Sequence, residues 1–193
     1  MAEENYNALV VSGLPGSGKS TLTKKVSELT GWSIYSIGGK FREKLKELQE
    51  TGQVSRDITI KEYWPTVSDE EQIKVNRDLL ELVNKGNIIA DTRYAQYLKQ
   101  TTAKPFFLFL TADVSRRAHR SQFTENEDYM GKTIKEIKEI LLQREKDEVD
   151  IGQRIFGFDY RNPEDYNLIL NNTIVPVEKE VGIVLRALGK NAP

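Results

Sequence analysis

A glycine-rich segment near the start of the chain has the residue types and spacing of a triphosphate-binding loop. Residues 13–20 read Gly-Leu-Pro-Gly-Ser-Gly-Lys-Ser and match the pattern G-x-x-x-x-G-K-[ST] at every fixed position. The glycines allow a tight turn whose backbone N–H groups point at phosphate oxygens. We expect Lys19 to bridge the outer phosphates and the Ser20 hydroxyl to bind Mg²⁺, so ATP and Mg²⁺ are the predicted cofactors. The predicted nucleotide-binding residues are Gly13, Pro15, Gly16, Ser17, Gly18, Lys19, Ser20 and Thr21.

This phosphate loop, residues 13–20, leaves the acceptor of the phosphoryl group open. Motors, switches, small-molecule kinases and non-catalytic sensors all carry such a loop. A small-molecule kinase needs three more features: an acid near the metal ion, basic groups that hold the acceptor, and a cap that excludes water. The rest of the chain offers a candidate for each.

The first two candidates follow a short apolar run at residues 88–90. Asp91 comes directly after this predicted strand, where a second acid would face the Mg²⁺ ion or its waters. Arg93 follows two residues later and can hold the phosphate of an acceptor. The alternatives are a helix cap or loop acid for Asp91 and a solvated surface side chain for Arg93.

Arg42 is a further candidate for binding the acceptor phosphate. It belongs to an amphipathic helix that opens with Gly-Gly-Lys at residues 38–40, after the second predicted strand. A guanidinium group there can bind a phosphate through two hydrogen bonds at once. The alternative is an ordinary polar helix face, because Lys40 and Lys44 are close in sequence.

A cap, or lid, is predicted over residues 144–161, between the fourth and fifth strands. Arg144 and Arg154 are its favoured catalytic arginines, since lid arginines neutralise charge on the transferring phosphoryl group. Arg161 is the weaker candidate. The alternative is a charged helix held by ion pairs at i,i+3 and i,i+4. The predicted catalytic residues are therefore Lys19, Asp91, Arg144 and Arg154, with Asp91 also a metal ligand and Arg42 and Arg93 in the acceptor site.

The elements that must position these side chains alternate along the chain as short apolar runs and longer amphipathic stretches. This pattern predicts an α/β domain with a five-stranded parallel sheet flanked by helices. The predicted strands are 8–12, 32–37, 87–91, 106–110 and 166–170, and the main helices are 18–29, one from about 40, 69–84, 112–121, 133–149 and 177–188. Residues 150–163 are predicted as a loop. We expect one domain over 1–193, with an acceptor-binding insertion at about 38–85.

Composition excludes several other classes of protein. The chain has no cysteine, which excludes a disulfide framework, a zinc–thiolate site and thiol catalysis, and its one histidine, His119, is expected at the surface. The formal net charge is −1, so nucleic acid is not an expected partner, and the basic group Arg116, Arg117 and Arg120 is interpreted as a solvated helix face. No apolar run is long enough to span a membrane and the first residues lack a basic leader segment. We expect a cytoplasmic monomer.

Several segments together resemble the archaeal-type cytidylate kinases, in the right order and over nearly the whole chain. They are residues 13–20, 36–43, 86–93, the lid from Arg144-Glu145, and 166–173. The most specific is Gly-Gly-x-Phe-Arg at 38–42. The resemblance implies transfer of the ATP γ-phosphoryl group to CMP or dCMP, with Arg42 and Arg93 on the acceptor phosphate and Arg144 and Arg154 acting from the lid. A kinase for another nucleotide or nucleoside, a kinase for an RNA end, and a non-catalytic ATP-binding regulatory module stay open as alternatives.

Overall fold

The structure is a computed structural model, and it describes residues 6–124 and 127–190. Residues 1–5, on which part of the expectation about a leader segment rests, lie outside the described residues. The strands are β1 (Ala8–Gly13), β2 (Ser33–Ser36), β3 (Ile88–Asp91), β4 (Pro105–Thr111) and β5 (Leu168–Asn171). The α-helices are α1 (Lys19–Thr30), α2 (Ile37–Glu50), α3 (Ile60–Tyr63), α4 (Asp69–Lys85), α5 (Val114–Gln122), α6 (Ile134–Phe156) and α7 (Val177–Ala187). Short 3₁₀ segments occur at Trp64–Thr66, Ala95–Gln100, Glu127–Tyr129 and Pro163–Asp165.

The strands form a five-stranded sheet in the order β2-β3-β1-β4-β5, and every described pairing is parallel. Central strand β1 is buried along its whole length, and its alternate side chains point to opposite layers. Ala8 and Val10 join a core with α2 and α4, whereas Leu9 and Val11 join a core with α1 and α7. The predicted α/β class, with a parallel sheet between helical layers, is confirmed.

The carboxyl ends of β1, β2 and β3 meet at one edge of the sheet. Val11 of β1 and Ser36 of β2 both lie in register with Asp91 of β3. The phosphate loop follows β1 at this edge, and α2 starts directly after β2, where the Ser36 side chain accepts a hydrogen bond from the Gly39 N–H. Ligands of open parallel sheets bind at this edge. The sheet topology alone therefore brings the phosphate loop, the start of α2 and Asp91 to the same edge of the sheet.

Helix α6 is longer than predicted, and the predicted loop at 150–163 is wrong for residues 150–156. The helix runs on to Phe156 and ends at Gly157, which has a left-handed conformation with φ of 78°. Gly152 lies inside it, where an added Cβ would be 3.0 Å from Cε1 of Tyr94. Packing on the buried Tyr94 and Tyr160 rings thus extends the helix. The predicted lid at 144–161 consists of the last turns of α6 and the turn that follows.

The predicted acceptor-binding insertion at 38–85 corresponds to most of α2, together with α3, α4 and their connections. Side chains of these helices share one core with the alternate residues of β1 and β3. None of the helices in the described parts of the chain is long and apolar enough to cross a membrane.

Candidate active site

The phosphate loop turns sharply as it leaves β1. Gly13 has φ of 145°, and a Cβ there would lie 2.2 Å from the Leu110 carbonyl oxygen, so only glycine fits. Gly18 has φ of 93° and precedes the first residue of α1, Lys19. Backbone N–H groups of the loop and of the α1 N-terminus therefore surround a space suited to phosphate oxygens.

Lys19 and Arg93 converge on the carbonyl oxygen of Gly13. Nζ of Lys19 donates to this oxygen at 3.1 Å, and Nη1 of Arg93 donates to it as well. Burial and, after it, the charge of Arg93 lower the pKa of Lys19 to about 7, although Asp91 and Glu148 act in the opposite direction. Two cations thus lie close together in a confined space beside the phosphate loop, and a strongly shifted pKa in such a place is typical of a functional site.

Glu148 of α6 joins Arg93 to Arg144. Its Oε2 lies 2.7 Å from Nε of Arg93, and its Oε1 lies 2.9 Å from Nε of Arg144. The Tyr160 hydroxyl also donates to Oε2, at 3.3 Å. Burial favours the protonated form of Glu148, but the two arginines prevail and its pKa is lowered. Sequence reasoning missed Glu148 as a site residue, and the available signal was its i,i+4 spacing from Arg144.

Asp91 and Ser20 present the oxygen atoms that a hard divalent cation prefers. Both line the cleft, and Oδ2 of the buried Asp91 accepts a hydrogen bond from the Ser36 hydroxyl at 3.1 Å. Among the residues that the structure describes, no group of three or more His, Cys, Asp or Glu could hold a metal ion alone. Mg²⁺ usually keeps several waters and binds through one or two protein oxygens plus substrate phosphates. Ser20 and Asp91 therefore fit a nucleotide-borne Mg²⁺.

One continuous cleft of about 1200 Å³ holds most of the predicted site residues. Its lining includes the phosphate loop from Pro15 to Ser20 and then Thr21, together with Asp91, Arg93, Arg144 and Arg42. Arg42 makes no hydrogen bond or ion pair with any residue in the described parts of the chain. The Arg42 side chain is exposed at the cleft surface. Partial desolvation there and the charge of the nearby Arg144 lower its pKa. An unpaired guanidinium close to another is available for a bound anion.

Arg154 and Arg161 lie outside the lining of this cleft. Arg154 forms an ion pair with Asp69 at the start of α4, and its side chain is 55% exposed. Arg161 pairs with Asp159 at 2.7 Å and with Glu145 at 3.3 Å. The structure therefore brings Arg144, but neither Arg154 nor Arg161, together with Lys19.

The interpretation of Arg117 and Arg120 as a solvated helix face is wrong. Arg117 is 3% exposed, and its Nη1 donates to the Pro15 carbonyl at 3.0 Å. Nη1 of Arg120 donates to the Ser17 carbonyl at 3.3 Å and to Oδ1 of Asn172 at 2.8 Å. These two arginines therefore bind backbone carbonyl groups of the phosphate loop. His119, on the same helix, is exposed as predicted.

Comparisons with known proteins agree with this geometry. A sequence profile described as the cytidylate kinase-like family matches residues 9–174. A cytidylate kinase of Ignicoccus hospitalis is 27% identical over 183 residues, covering 93% of this chain and 98% of the relative. A cytidylate kinase of Thermoplasma volcanium is 28% identical over 181 residues, covering 93% of this chain and 90% of the relative. A solved shikimate kinase from Bacteroides thetaiotaomicron superposes with a TM-score of 0.59 at 14% identity, covering 94% of this chain and 98% of that one, which shows a shared fold.

The profile match spans most of the chain, from β1 through the end of β5. It includes the phosphate loop, Arg42, Asp91, Arg93 and Arg144. The fold, the site and the relatives all indicate a phosphotransferase, and this chain belongs to the cytidylate kinase-like family.

Proposed function

We propose that the protein transfers the γ-phosphoryl group of Mg·ATP to the phosphate of CMP or dCMP. The bond between the γ-phosphorus and the β–γ bridging oxygen breaks, and a bond forms to a phosphate oxygen of the acceptor, giving ADP and the cytidine diphosphate. The single observation that carries the proposal is the cleft in which Arg42, Arg93 and Arg144 line the same space as the phosphate loop. The relatives that are named cytidylate kinases support cytidine as the base.

The donor triphosphate binds at the phosphate loop. Backbone N–H groups of the loop and Nζ of Lys19 hold its outer phosphates. Ser20 and Asp91 would hold Mg²⁺, which when bound neutralises phosphate charge. Lys19 then exchanges its contact with the Gly13 carbonyl for phosphate oxygens, and the negative charge stabilises its protonated form.

The acceptor phosphate binds among Arg42, Arg93 and Arg144. Arg93 and Arg144 are held in place by Glu148, and Arg42 has no competing partner among the described residues. Phosphoryl transfer depends on positioning of the reactants and on stabilisation of negative charge. Guanidinium groups in fixed positions provide both, because they orient the acceptor phosphate and stabilise the charge of the transition state. A role for Arg154 at the reacting phosphoryl group stays a prediction, and it requires the ion pair with Asp69 to open.

The test is ADP release, measured with ATP and each nucleoside monophosphate in turn. We expect CMP or dCMP to stimulate ADP release strongly over the rate with ATP alone. Unchanged ATP binding with no stimulation by any acceptor would instead favour the non-catalytic nucleotide-binding module. The variant Lys19→Met serves as the blank, because it removes the cation that bridges the outer phosphates.

A further inference from the structure

Side chains from outside the phosphate loop bind its carbonyl oxygens. Nη1 of Arg117 donates to the Pro15 carbonyl at 3.0 Å, and Nη1 of Arg120 donates to the Ser17 carbonyl at 3.3 Å. The Ser17 carbonyl has a second and closer partner, Nδ2 of Asn172, at 2.8 Å. Asn172 directly follows β5, so a residue far along the chain contacts the middle of the phosphate loop.

The contact with Asn172 determines where the Gly18 N–H points. The peptide unit between Ser17 and Gly18 is trans, and in a planar trans unit the C=O and N–H bonds point in opposite directions. An anchored Ser17 carbonyl therefore directs the Gly18 N–H to the other side. Glycine adopts many backbone conformations, so the loop backbone alone does not fix this direction. The Gly18 N–H has no hydrogen-bond partner among residues 6–124 and 127–190, and it is available to a phosphate oxygen.

Asn172 is itself held at each of its hydrogen-bonding groups. Its Nδ2 also donates to Oε2 of Glu180 at 3.0 Å, and its Oδ1 accepts from Nη1 of Arg120 at 2.8 Å. Its backbone N–H donates to the Thr111 carbonyl, and its own carbonyl accepts from Nη2 of Arg120. Asn172 is 1% exposed. Both amide hydrogens are thus used inside the protein, and none is left for a ligand.

Glu180 of α7 and Arg120 of α5 fix which end of the Asn172 amide faces the loop. The Arg120 guanidinium can only donate, so it faces the amide oxygen, and the Glu180 carboxylate accepts from the amide nitrogen. Glu180 is 3% exposed. A buried carboxylate at this place keeps the NH₂ end of Asn172 on the side of the Ser17 carbonyl.

We propose that Asn172 and Glu180 are positioning residues of the donor site. Asn172 anchors the Ser17 carbonyl so that the Gly18 N–H faces the phosphates of the bound donor, and Glu180 holds the Asn172 amide in the required orientation. The inference rests on the proposed function, in which the phosphate loop binds the donor triphosphate. It adds two residues that lie outside the loop motif.

The first experiment measures the binding of inorganic tripolyphosphate with Mg²⁺ by calorimetry. This probe has no base or ribose, so it reports on the phosphate loop alone. Asn172→Asp keeps the size of the side chain but cannot donate to the Ser17 carbonyl. An N–H bond to a charged phosphate is lost when the peptide unit turns, so the affinities for tripolyphosphate and for ATP should both fall by about 10- to 100-fold.

The matched control is Asn171→Asp, the same chemical change one residue earlier. Oδ1 of Asn171 only accepts, from the backbone N–H and the hydroxyl of Thr173, and a carboxylate accepts from both groups equally well. We expect this control to bind tripolyphosphate and ATP like the unaltered protein. An equal loss in both variants would overturn the inference.

Asn172→Leu separates the lost donor from the added negative charge. It removes the donor without introducing a carboxylate, and it should weaken tripolyphosphate binding by about 10- to 100-fold as well. Weaker binding in Asn172→Asp alone would identify charge repulsion as the cause and overturn the inference. A loss of ATP affinity with unchanged tripolyphosphate affinity would also overturn it, because Asn172 would then act on the nucleoside.

The second experiment compares Glu180→Gln with Glu180→Leu. The glutamine oxygen can still accept from Asn172, whereas leucine cannot. We expect Glu180→Gln to bind tripolyphosphate like the unaltered protein and Glu180→Leu to bind it about 3- to 10-fold more weakly. Circular dichroism checks that the compared variants are folded. If the Asn172 variants do not fold, equal affinity of the two Glu180 variants would still overturn the inference.

These binding measurements need no phosphoryl transfer, so they separate the inference from the proposed function. If no monophosphate is phosphorylated but Asn172→Asp and Asn172→Leu weaken tripolyphosphate binding, the proposed function fails and the positioning role stands. If CMP stimulates ADP release and both Asn172 variants bind tripolyphosphate like the unaltered protein, the positioning role fails and the proposed function stands. In the active enzyme, we expect the Asn172 variants to raise KM for ATP and to leave KM for the acceptor unchanged.

Discussion

Arg93 and Glu148 form a buried ion pair across the cleft floor, with Nε of Arg93 2.7 Å from Oε2 of Glu148. The other oxygen of the same carboxylate accepts from Arg144. One side chain of α6 therefore orients two guanidinium groups, one from the end of β3 and one from its own helix. Arg93 is in turn tied to the Gly13 carbonyl at the base of the phosphate loop. This chain of contacts connects the proposed acceptor site to the donor site.

The first prediction concerns Glu148→Gln, which removes the charge of this carboxylate and leaves Arg93 and Arg144 without it. Breaking a buried ion pair costs about 3–5 kcal/mol of unfolding free energy. Misplaced arginines should also lower kcat/KM for the acceptor by about 100-fold. Urea unfolding and the ADP-release assay measure the two effects. The control is Glu139→Gln on the exposed side of α6, for which we expect neither effect. Equal behaviour of the two variants would show that Glu148 does not position the arginines.

The second prediction follows from the pKa of Lys19, which burial and Arg93 lower to about 7. An unfolded lysine titrates near pH 10.4, so between about pH 7 and pH 10.4 the unfolded chain binds more protons at this residue. The contribution of Lys19 to stability therefore rises with pH across this window. A bound triphosphate favours the protonated form, so binding must take up a proton. We expect ATP affinity to fall by up to about tenfold per pH unit above pH 7.5.

Calorimetry at several pH values between about 7.5 and 9 checks this dependence. In this range the terminal phosphate of ATP is already ionised, so its own titration does not contribute. Lys19→Met should bind ATP more weakly, and its ATP affinity should lack the pH dependence that Lys19 causes. Lys24→Met, at an exposed position of α1, should keep the slope of the unaltered protein. A slope that survives in Lys19→Met would assign the proton uptake to another group.

Much of the fold follows from local patterns in the sequence. Each buried strand is a short apolar run, and the phosphate loop is a contiguous segment whose glycines are required by the backbone itself, as the Gly13 contact with Leu110 shows. Such features need no knowledge of the tertiary structure. They also locate Asp91, because the residue after a parallel strand lies at the ligand-binding edge of the sheet.

The features that sequence reasoning missed depend on contacts between distant segments. The last turns of α6 pack on Tyr94, which follows β3 in the sequence. In the sequence, Arg117 is one of several arginines on a basic helix. Its hydrogen bond to the Pro15 carbonyl becomes visible only in the folded structure. Glu148 is likewise one of several acidic residues on α6. It differs from the others in its ion pair with Arg93, which only the tertiary structure shows. Helical periodicity alone cannot separate these residues from a solvated face.

The third prediction concerns Gly152, where α6 passes closest to Tyr94. A Cβ added there would lie 2.9 Å from the Phe158 carbonyl oxygen and 3.0 Å from the Tyr94 ring. We expect Gly152→Ala to cost about 1–3 kcal/mol of unfolding free energy, as overpacked sites do. The control is Gly182→Ala in α7, where the nearest atom is 3.6 Å away at the end of the Arg186 side chain. There the gain in helix propensity should stabilise the protein by about 0.5–1 kcal/mol. Destabilisation of both variants to the same extent would show that the Tyr94 contact is not the cause.

The last prediction concerns Arg42, the cleft arginine without a partner among the described residues. Because Arg42→Ala breaks no ion pair of the folded protein, we expect the melting temperature to stay within about 2 °C of the unaltered value. A hydrogen bond to a charged group contributes about 1.5–3 kcal/mol, so KM for the acceptor nucleotide should rise by about 10- to 100-fold. ATP affinity should not change, since the phosphate loop is intact. Lys44→Ala, at an exposed position of the same helix, is the matched control and should leave all three quantities unchanged. Loss of ATP affinity in Arg42→Ala would place Arg42 on the donor nucleotide, and an unchanged KM would remove it from the acceptor site.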